Sequence, residues 1–271
     1  MLKRALGIAL GWAALTAMQA PPTQPELEMW RLDCGEVEFA DYNAFFSDTS
    51  EYAPGRKTLV ASCYLIRHGE TYMLWDTGLP QAASNAAMTA RLPRRITEQL
   101  AQIRVRPEQV TIIGISHYHF DHVGQARDFP HARLIMGAGD LAALRGTQPG
   151  IPREALAHWL TGGGEVTEAP SDHDVFGDGS VTMLNLPGHT PGHRALLVRL
   201  ASGPVMLTGD LYHFAEQVEW RGVPPFNTSR AETLASMDRF DRLGRNLRAR
   251  IIIQHEPADV AKLPAFPASA R

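Results

Sequence analysis

The sequence predicts an α/β fold with helices outside packed sheets, and two observations carry that expectation. Strand-like apolar runs alternate with helix-patterned segments in both halves of the chain, and layers of helix on sheet bury both kinds of apolar face. The 271 residues, 44% of them hydrophobic, suffice for one large core. The expected organisation is a signal peptide over residues 1–20 and a single domain over residues 21–271.

Met1-Leu2-Lys3-Arg4 precedes an apolar stretch from Ala5 to Met18 and then Gln19-Ala20-Pro21-Pro22, the layout of a secretory signal. The stretch is short for a permanent membrane helix. Cleavage after about Ala20 would leave a periplasmic or secreted protein without stable membrane association; an uncleaved anchor is the fallback. The formal charge is -3, more negative by two once Lys3 and Arg4 are gone, and no Lys/Arg-rich tract occurs, which excludes a nucleic-acid partner. The two cysteines, Cys34 and Cys63, are compatible with a disulfide or with two buried thiols. They form no Cys-X-X-Cys pair, which argues against thiol redox chemistry.

Along the chain, Met29 to Phe39 alternates as a half-buried strand. Asp41 to Lys57 is an irregular loop rich in aromatic residues, long enough to cover a pocket. Strands follow at Leu59 to Arg67 and Thr71 to Trp75, with His68 in the turn between them and Asp76-Thr77-Gly78 after the second. Gln81 to Ala101 is Ala-rich and predicts a helix interrupted at Pro93. A buried strand at Val110 to Ile115 leads to a further strand at Arg133 to Met136 and helices near Gly139 to Leu144 and Pro152 to Leu160. A hairpin spans Val175 to Leu186, with strands at Ala195 to Leu200 and Val205 to Leu207 beyond it. The capping box Ser229-Arg230-Ala231-Glu232 opens a helix ending near Gly244, and Ile251 to Ile253 is a last buried strand.

The chemistry concentrates in His117-Tyr118-His119-Phe120-Asp121-His122, just past the buried strand. His117 and His119 alternate, so they project to one side. His189, Asp210 and His255 each follow an apolar strand, where side chains from several strands converge on one edge. Five histidines and two aspartates are donors for two zinc ions rather than one. His117, His119 and His189 are assigned to the first, Asp121, His122 and His255 to the second, and Asp210 bridges them. Asp76 is expected to orient a ligand, and His193 to fix the loop around His189. His131, His158 and His173 are expected to be exposed. Phe120, Leu211, Trp220 and Phe226 are candidates for an acyl-chain pocket, with core packing nearly as good an account.

His-X-His-X-Asp-His, then Gly-His, Asp and a late His in that order resembles the metallo-β-lactamase superfamily. Within it, Ser116 to Gly124, Gly188-His189-Thr190-Pro191-Gly192-His193, Thr208-Gly209-Asp210 and His255 resemble the N-acyl-homoserine lactonases. The resemblance implies a four-layer αβ/βα sandwich, a binuclear zinc centre and a small-molecule lactone substrate used in quorum sensing. A hydroxide bridging the two metals would attack the lactone carbonyl, and Asp121 would pass a proton to the leaving ring oxygen. Such lactonases often place a Tyr three residues after the bridging Asp; here that position is His213, with Tyr212 one earlier. Either Tyr212 or His213 is therefore expected to assist catalysis, and adjacent residues on an extended segment face opposite sides.

Three other readings compete. A metallo-β-lactamase typically carries Cys or Ser where this chain has Asp210. A glyoxalase II-like thioesterase shares the seven ligands but adds a helical region for glutathione, whereas this sequence stops soon after His255. A non-catalytic zinc-binding module would use a closed, usually mononuclear site. A homodimer is left open.

Overall fold

The computed structural model describes residues 26–271 apart from Ala82, so the expected signal peptide lies outside the described residues. One sheet contains β1 (Leu27–Phe39), β2 (Lys57–His68), β3 (Thr71–Trp75), β4 (Met88–Arg91), β5 (Val110–Gly114), β6 (Arg133–Gly137) and β7 (Val166–Ala169), in the spatial order β4-β1-β2-β3-β5-β6-β7. The other contains β8 (His173–Asp174), β9 (Val181–Asn185), β10 (Arg194–Leu200), β11 (Gly203–Leu207) and β12 (Arg250–Ile252), in the order β12-β11-β10-β9-β8.

Side-chain alternation along the strands separates three apolar layers. Met73 and Trp75 of β3 face Leu196 and Val198 of β10 between the sheets. Leu74 of β3 faces outward with Ile113 of β5, onto residues of helices 96–102 and 138–145. On the far side, Ala195 and Leu197 of β10 pack against Met237 and Phe240 of helix Arg230–Leu247. Helix, sheet, sheet and helix thus stack as the expected α/β sandwich.

The helix expected over residues 81–101 is corrected. Its first half is an irregular segment leading to β4, whose Phe39↔Met88 to Glu36↔Arg91 pairing extends the edge of β1. Asn85 Oδ1 accepts the backbone N–H groups of Ala87 and Met88, a side-chain turn that starts the strand. Only Ile96–Gln102 is helical; tertiary pairing overrides the Ala-rich local preference. The helix that follows the capping box continues past Gly244 to Leu247, with Ser229 Oγ accepting from Glu232 N at 3.2 Å. His68 ends β2 instead of sitting in a turn, its ring stacked on Phe176 and its Nε2 2.8 Å from Asp178 Oδ2. His131 is exposed as expected, but His158 and His173 are half-buried.

Cys34 and Cys63 form a disulfide, with Cα atoms 5.9 Å apart. The bridge lies where the β1–β2 register breaks between Asp33 and Glu36. Gly78 packs directly over it: a Cβ at Gly78 would sit 2.4 Å from Cβ of Cys34. The Asp76–Gly78 segment is thereby held against the sheet, and Thr77 N–H in turn donates to the carbonyl of His122 at 2.7 Å.

Candidate metal centre

The parallel strands β3, β5 and β6 end at the same edge as β11 and β12. Just beyond those ends lie Asp76, Ser116-His117, Thr208-Gly209-Asp210 and His255. This is the edge at which ligands of α/β sheets gather, because loops there are free to differ while the strands fix their starting points.

All seven residues assigned from the sequence come together in two groups. In the first, His117 Nε2 is 2.9 Å from His119 Nδ1 and 3.1 Å from His189 Nε2, and His119 Nδ1 is 2.9 Å from His189 Nε2. In the second, His255 Nε2 is 3.2 Å from His122 Nε2, and Asp121 Oδ2 is 3.9 Å from each of those nitrogens. Asp210 spans the groups. Its Oδ2 lies 3.5 Å from His117 and 3.3 Å from His189, while its Oδ1 lies 2.9 Å from both His122 and His255.

Outer hydrogen bonds show which atoms point inward as lone pairs. His255 Nδ1 donates to the carbonyl of Val60 at 2.7 Å, and His122 Nδ1 donates to Asp76 Oδ2 at 2.9 Å. His189 Nδ1 lies 2.9 Å from Asn227 Oδ1. A neutral imidazole that donates at Nδ1 has a bare Nε2, so in their neutral forms His122, His189 and His255 each turn a lone pair toward the space beside the Asp210 carboxylate. Nitrogens about 3 Å apart beside a carboxylate need positive charge between them, which a proton or a metal cation can supply. Nitrogen and carboxylate donors in this number suit zinc and its neighbours among the transition metals.

The charge balance agrees. Burial, reinforced by His122, holds His117 well below the usual imidazole range, and burial with His189 does the same for His119. Burial also opposes the cationic form of His122, yet Asp210, Asp76 and Asp121 outweigh it and push His122 well above that range. Burial opposes the charge on Asp210 too, but the surrounding imidazoles, His122 first, keep its carboxyl well below the usual range. The site stabilises anionic oxygen and demands positive charge in return.

Asp76 orients a ligand as expected, and its Oδ1 also accepts Ser116 N–H at 2.7 Å. His193 stays out of both groups: its Nδ1 donates to the carbonyl of Leu186, and its Nε2 accepts the backbone N–H of Asp210, both at 2.9 Å. It positions Asp210 as well as the His189 loop.

Of the two candidates after Asp210, only one faces the cavity. His213 lines the cavity above the metal centre, with Nε2 3.2 Å from Asp210 Oδ2. Tyr212 is corrected: its hydroxyl lies 3.2 Å from the Asp241 carboxylate and its ring is packed beside Phe240, on the opposite side of the segment. A short 3-10 turn at Gly209–Leu211, with Gly209 at φ +55, sets this register.

The cavity holds about 270 Å³ and is lined by Val37, Phe39, Phe45, Phe46, Leu59 and Met88 on one side, with Phe120 and Phe226 beside the ligands. Phe45 and Phe46 come from a short helix, Tyr42–Phe46, inside the aromatic loop, whose first turn is capped by Asp41. That loop does cover a pocket. Two candidates for the pocket wall are corrected: Leu211 is packed in the core beneath helix Arg230–Leu247, and Trp220 is exposed and stacked on Tyr52.

Several supporting residues carry no sequence signal of their own. Gln254 Oε1 accepts from Trp75 Nε1 and from the backbone N–H of Gly209, and its Nε2 donates to Asp76. Asn227 similarly acts through a tertiary contact and Gln217 through a local one with His213, whereas Ser116, within hydrogen-bonding reach of both His117 and His122, is visible as a neighbour of the motif.

Residues 56–255 match the metallo-beta-lactamase superfamily. The N-acyl homoserine lactonase AttM of Rhizobium radiobacter is 28% identical over 188 residues, 62% of this chain and 68% of its own length. AttM of Azorhizobium caulinodans is 27% identical over 175 residues, covering 59% of this chain and 63% of the relative. An N-acyl homoserine lactonase of a Bacillus species is 30% identical over 171 residues, 58% and 66% of the two chains. The matches span about two thirds of these relatives' lengths.

Among solved structures, the fold is similar to an N-acyl homoserine lactone hydrolase with the product N-hexanoyl-L-homoserine bound at its catalytic metal centre. The TM-score is 0.78 at 22% identity, covering 91% of this chain and 100% of that chain. It is also similar to AidC, a dizinc quorum-quenching lactonase, with a TM-score of 0.68 at 17% identity over 91% and 90% of the two chains.

Proposed function

Because the chain belongs to the metallo-beta-lactamase superfamily and is a metal-dependent hydrolase of lactonase-like type, we propose that it opens the lactone ring of N-acyl homoserine lactones. Quorum quenching would be the biological effect. The observation that carries the reading is Asp210, whose two carboxylate oxygens each face a separate set of donors. Two zinc ions held by these groups would bring the pKa of water from 15.7 to about 7 and polarise a carbonyl oxygen.

The chain's own residues supply the rest. The phenylalanines, Leu59 and Met88 give an acyl chain an apolar wall, directly above the donors, so that a ring held at the centre leaves its tail in the cavity. Cavity volume near the lower end of the usual small-molecule range suits a substrate of this size. Asp121, facing the cavity and the second donor group, takes the proton of the attacking hydroxyl from the tetrahedral adduct and delivers it to the ring oxygen as the acyl C–O bond breaks. Export, expected from residues 1–20, is supported by the Cys34–Cys63 disulfide, since oxidising compartments preserve such bonds.

A pH-stat assay of the zinc-loaded protein on short- and long-chain acyl homoserine lactones tests the reading, with a carbapenem and S-lactoylglutathione in parallel. Acid release from the lactones at kcat/KM of about 10⁴ M⁻¹s⁻¹ or more, abolished by chelation, is the expected result. A better rate on either alternative substrate would overturn it. Asp121→Asn should lower turnover with both metals retained; unchanged turnover would remove Asp121 from its role.

A further inference from the structure

One buried carboxylate is unused by this chemistry. Asp140 stands in the first turn of the helix Ala138–Arg145 and is fully buried. Its three hydrogen bonds go to the two loops that carry the first donor group. Oδ2 accepts the backbone N–H of Tyr118, the residue between His117 and His119, at 3.2 Å. The same oxygen accepts the hydroxyl of Thr190, the residue after His189, at 2.9 Å. Oδ1 accepts the N–H of Gly192 at 2.6 Å.

Backbone packing makes this junction rigid. A Cβ at Gly137 would lie 2.0 Å from the carbonyl oxygen of Gly192, one at Gly139 would lie 2.5 Å from that of Pro191, and one at Gly192 would lie 2.4 Å from Asp140 N. The helix start and the His189 loop therefore touch main chain to main chain, with the Asp140 carboxylate bonded to Tyr118, Thr190 and Gly192 at the junction. Burial pushes the Asp140 carboxyl up to about 7 despite its three hydrogen bonds, so keeping a charge here is costly.

We propose that Asp140 is a positioning residue that fixes the spacing between the His117/His119 loop and the His189 loop, and so sets the metal affinity of the first donor group alone. The inference rests on reading the two donor groups as metal sites. Ligand-orienting partners of this kind typically change metal affinity 10- to 100-fold. The second group is held by other contacts, from Asp76, Val60 and Gln254.

Zinc affinity, measured on the full chain by competition with a chromophoric chelator, separates the two groups when each is left complete in turn. In a His255→Ala background, which keeps the first group whole, Asp140→Asn should weaken zinc binding 10- to 100-fold. The amide places an NH2 group against a backbone N–H, donor facing donor. In a His189→Ala background, which keeps the second group whole, the same substitution should leave affinity within about twofold. Equal weakening in both backgrounds, or none in the first, would overturn the proposal. Should Asp140→Asn fail to fold, Thr190→Val decides: it keeps the carboxylate, and a selective loss of about twofold to tenfold supports the role while no change overturns it. A chain that takes up no zinc in either background would instead overturn the donor groups themselves, and this inference with them.

Discussion

Gln217 Oε1 accepts both the backbone N–H of His213, at 2.7 Å, and the ring at Nδ1, at 3.1 Å, while its own Nε2 donates to the carbonyl of Gly222 at 2.7 Å. Two backbone partners thus fix the orientation of the amide, and the amide fixes the proton of His213 on Nδ1. Nε2 is the atom turned to Asp210 and the cavity. His213→Phe should lower kcat/KM on the lactone on the order of 10²-fold with metal content unchanged, the usual cost of losing a positioned polar group. Tyr212→Phe should leave kcat/KM within about twofold and cost only about 0.5–1.5 kcal/mol of stability. Kinetics of the two variants side by side check this; a larger loss from Tyr212→Phe would restore Tyr212 as the catalytic partner.

The apolar wall makes a prediction about chain length. Met88 lies on the edge strand β4 and reaches the cavity with a flexible side chain, so a larger ring there fills space without disturbing the core. Met88→Trp should reduce kcat/KM for long-chain lactones about tenfold and leave short-chain substrates within about twofold, in line with about 1–3 kcal/mol per methylene displaced from a pocket. A uniform loss across chain lengths would show that the acyl group lies elsewhere.

The first six donors of the sequence reading were legible because four sit in one segment at a strand end and the others follow apolar strands; Asp210 shared that context. Their partners were not. Asp140 and Gln254 are polar residues in ordinary surroundings, and only the folded chain shows that each bonds to a loop distant in sequence; Gln217 bonds locally, to His213 and Gly222, but in a turn that pattern alone does not reveal. The alternation rule correctly put Tyr212 and His213 on opposite sides, but the turn at Gly209–Leu211 decided which faced inward. Cysteine pairing likewise depended on strand register, which pattern alone leaves free. At residues 81–95 the pattern misled, because composition favoured a helix and the open edge of β1 claimed a strand.

Metal removal should be visible in stability as well as rate. The inward nitrogens of His122, His189 and His255 converge on Asp210 only in the folded chain, so a cation bound there stabilises the folded state over the unfolded one. Zinc at about 100 times its Kd would add about 2.7 kcal/mol, or about 5–10 °C in Tm. Thermal melts with a chelator, then with excess zinc, measure it. Identical melting under both conditions would mean that the cluster holds no ion.

A last prediction lies far from the site, where Glu28 on β1 ties the end of the described chain to the sheet. Its Oε1 accepts from Ser269 at 2.5 Å and from Arg271 at 2.8 Å, and its Oε2 accepts from Arg67 at 2.6 Å. Burial alone would raise the Glu28 carboxyl, but hydrogen bonds from Ser269, Arg271 and Arg67 outweigh it and lower it below the ordinary value of 4.5. A depressed carboxylate contributes stability above its unfolded pKa and loses it as pH falls through the folded one. Glu28→Gln should therefore cost on the order of 1–3 kcal/mol at about pH 7, lowering Tm by about 2–10 °C. The gap between parent and variant should narrow progressively as the pH drops below about 4. Melting both proteins at matched ionic strength across that window is the check. A gap that stays constant from neutral to acid pH would mean that packing by the Glu28 side chain, rather than its charge, anchors Ser269 and Arg271.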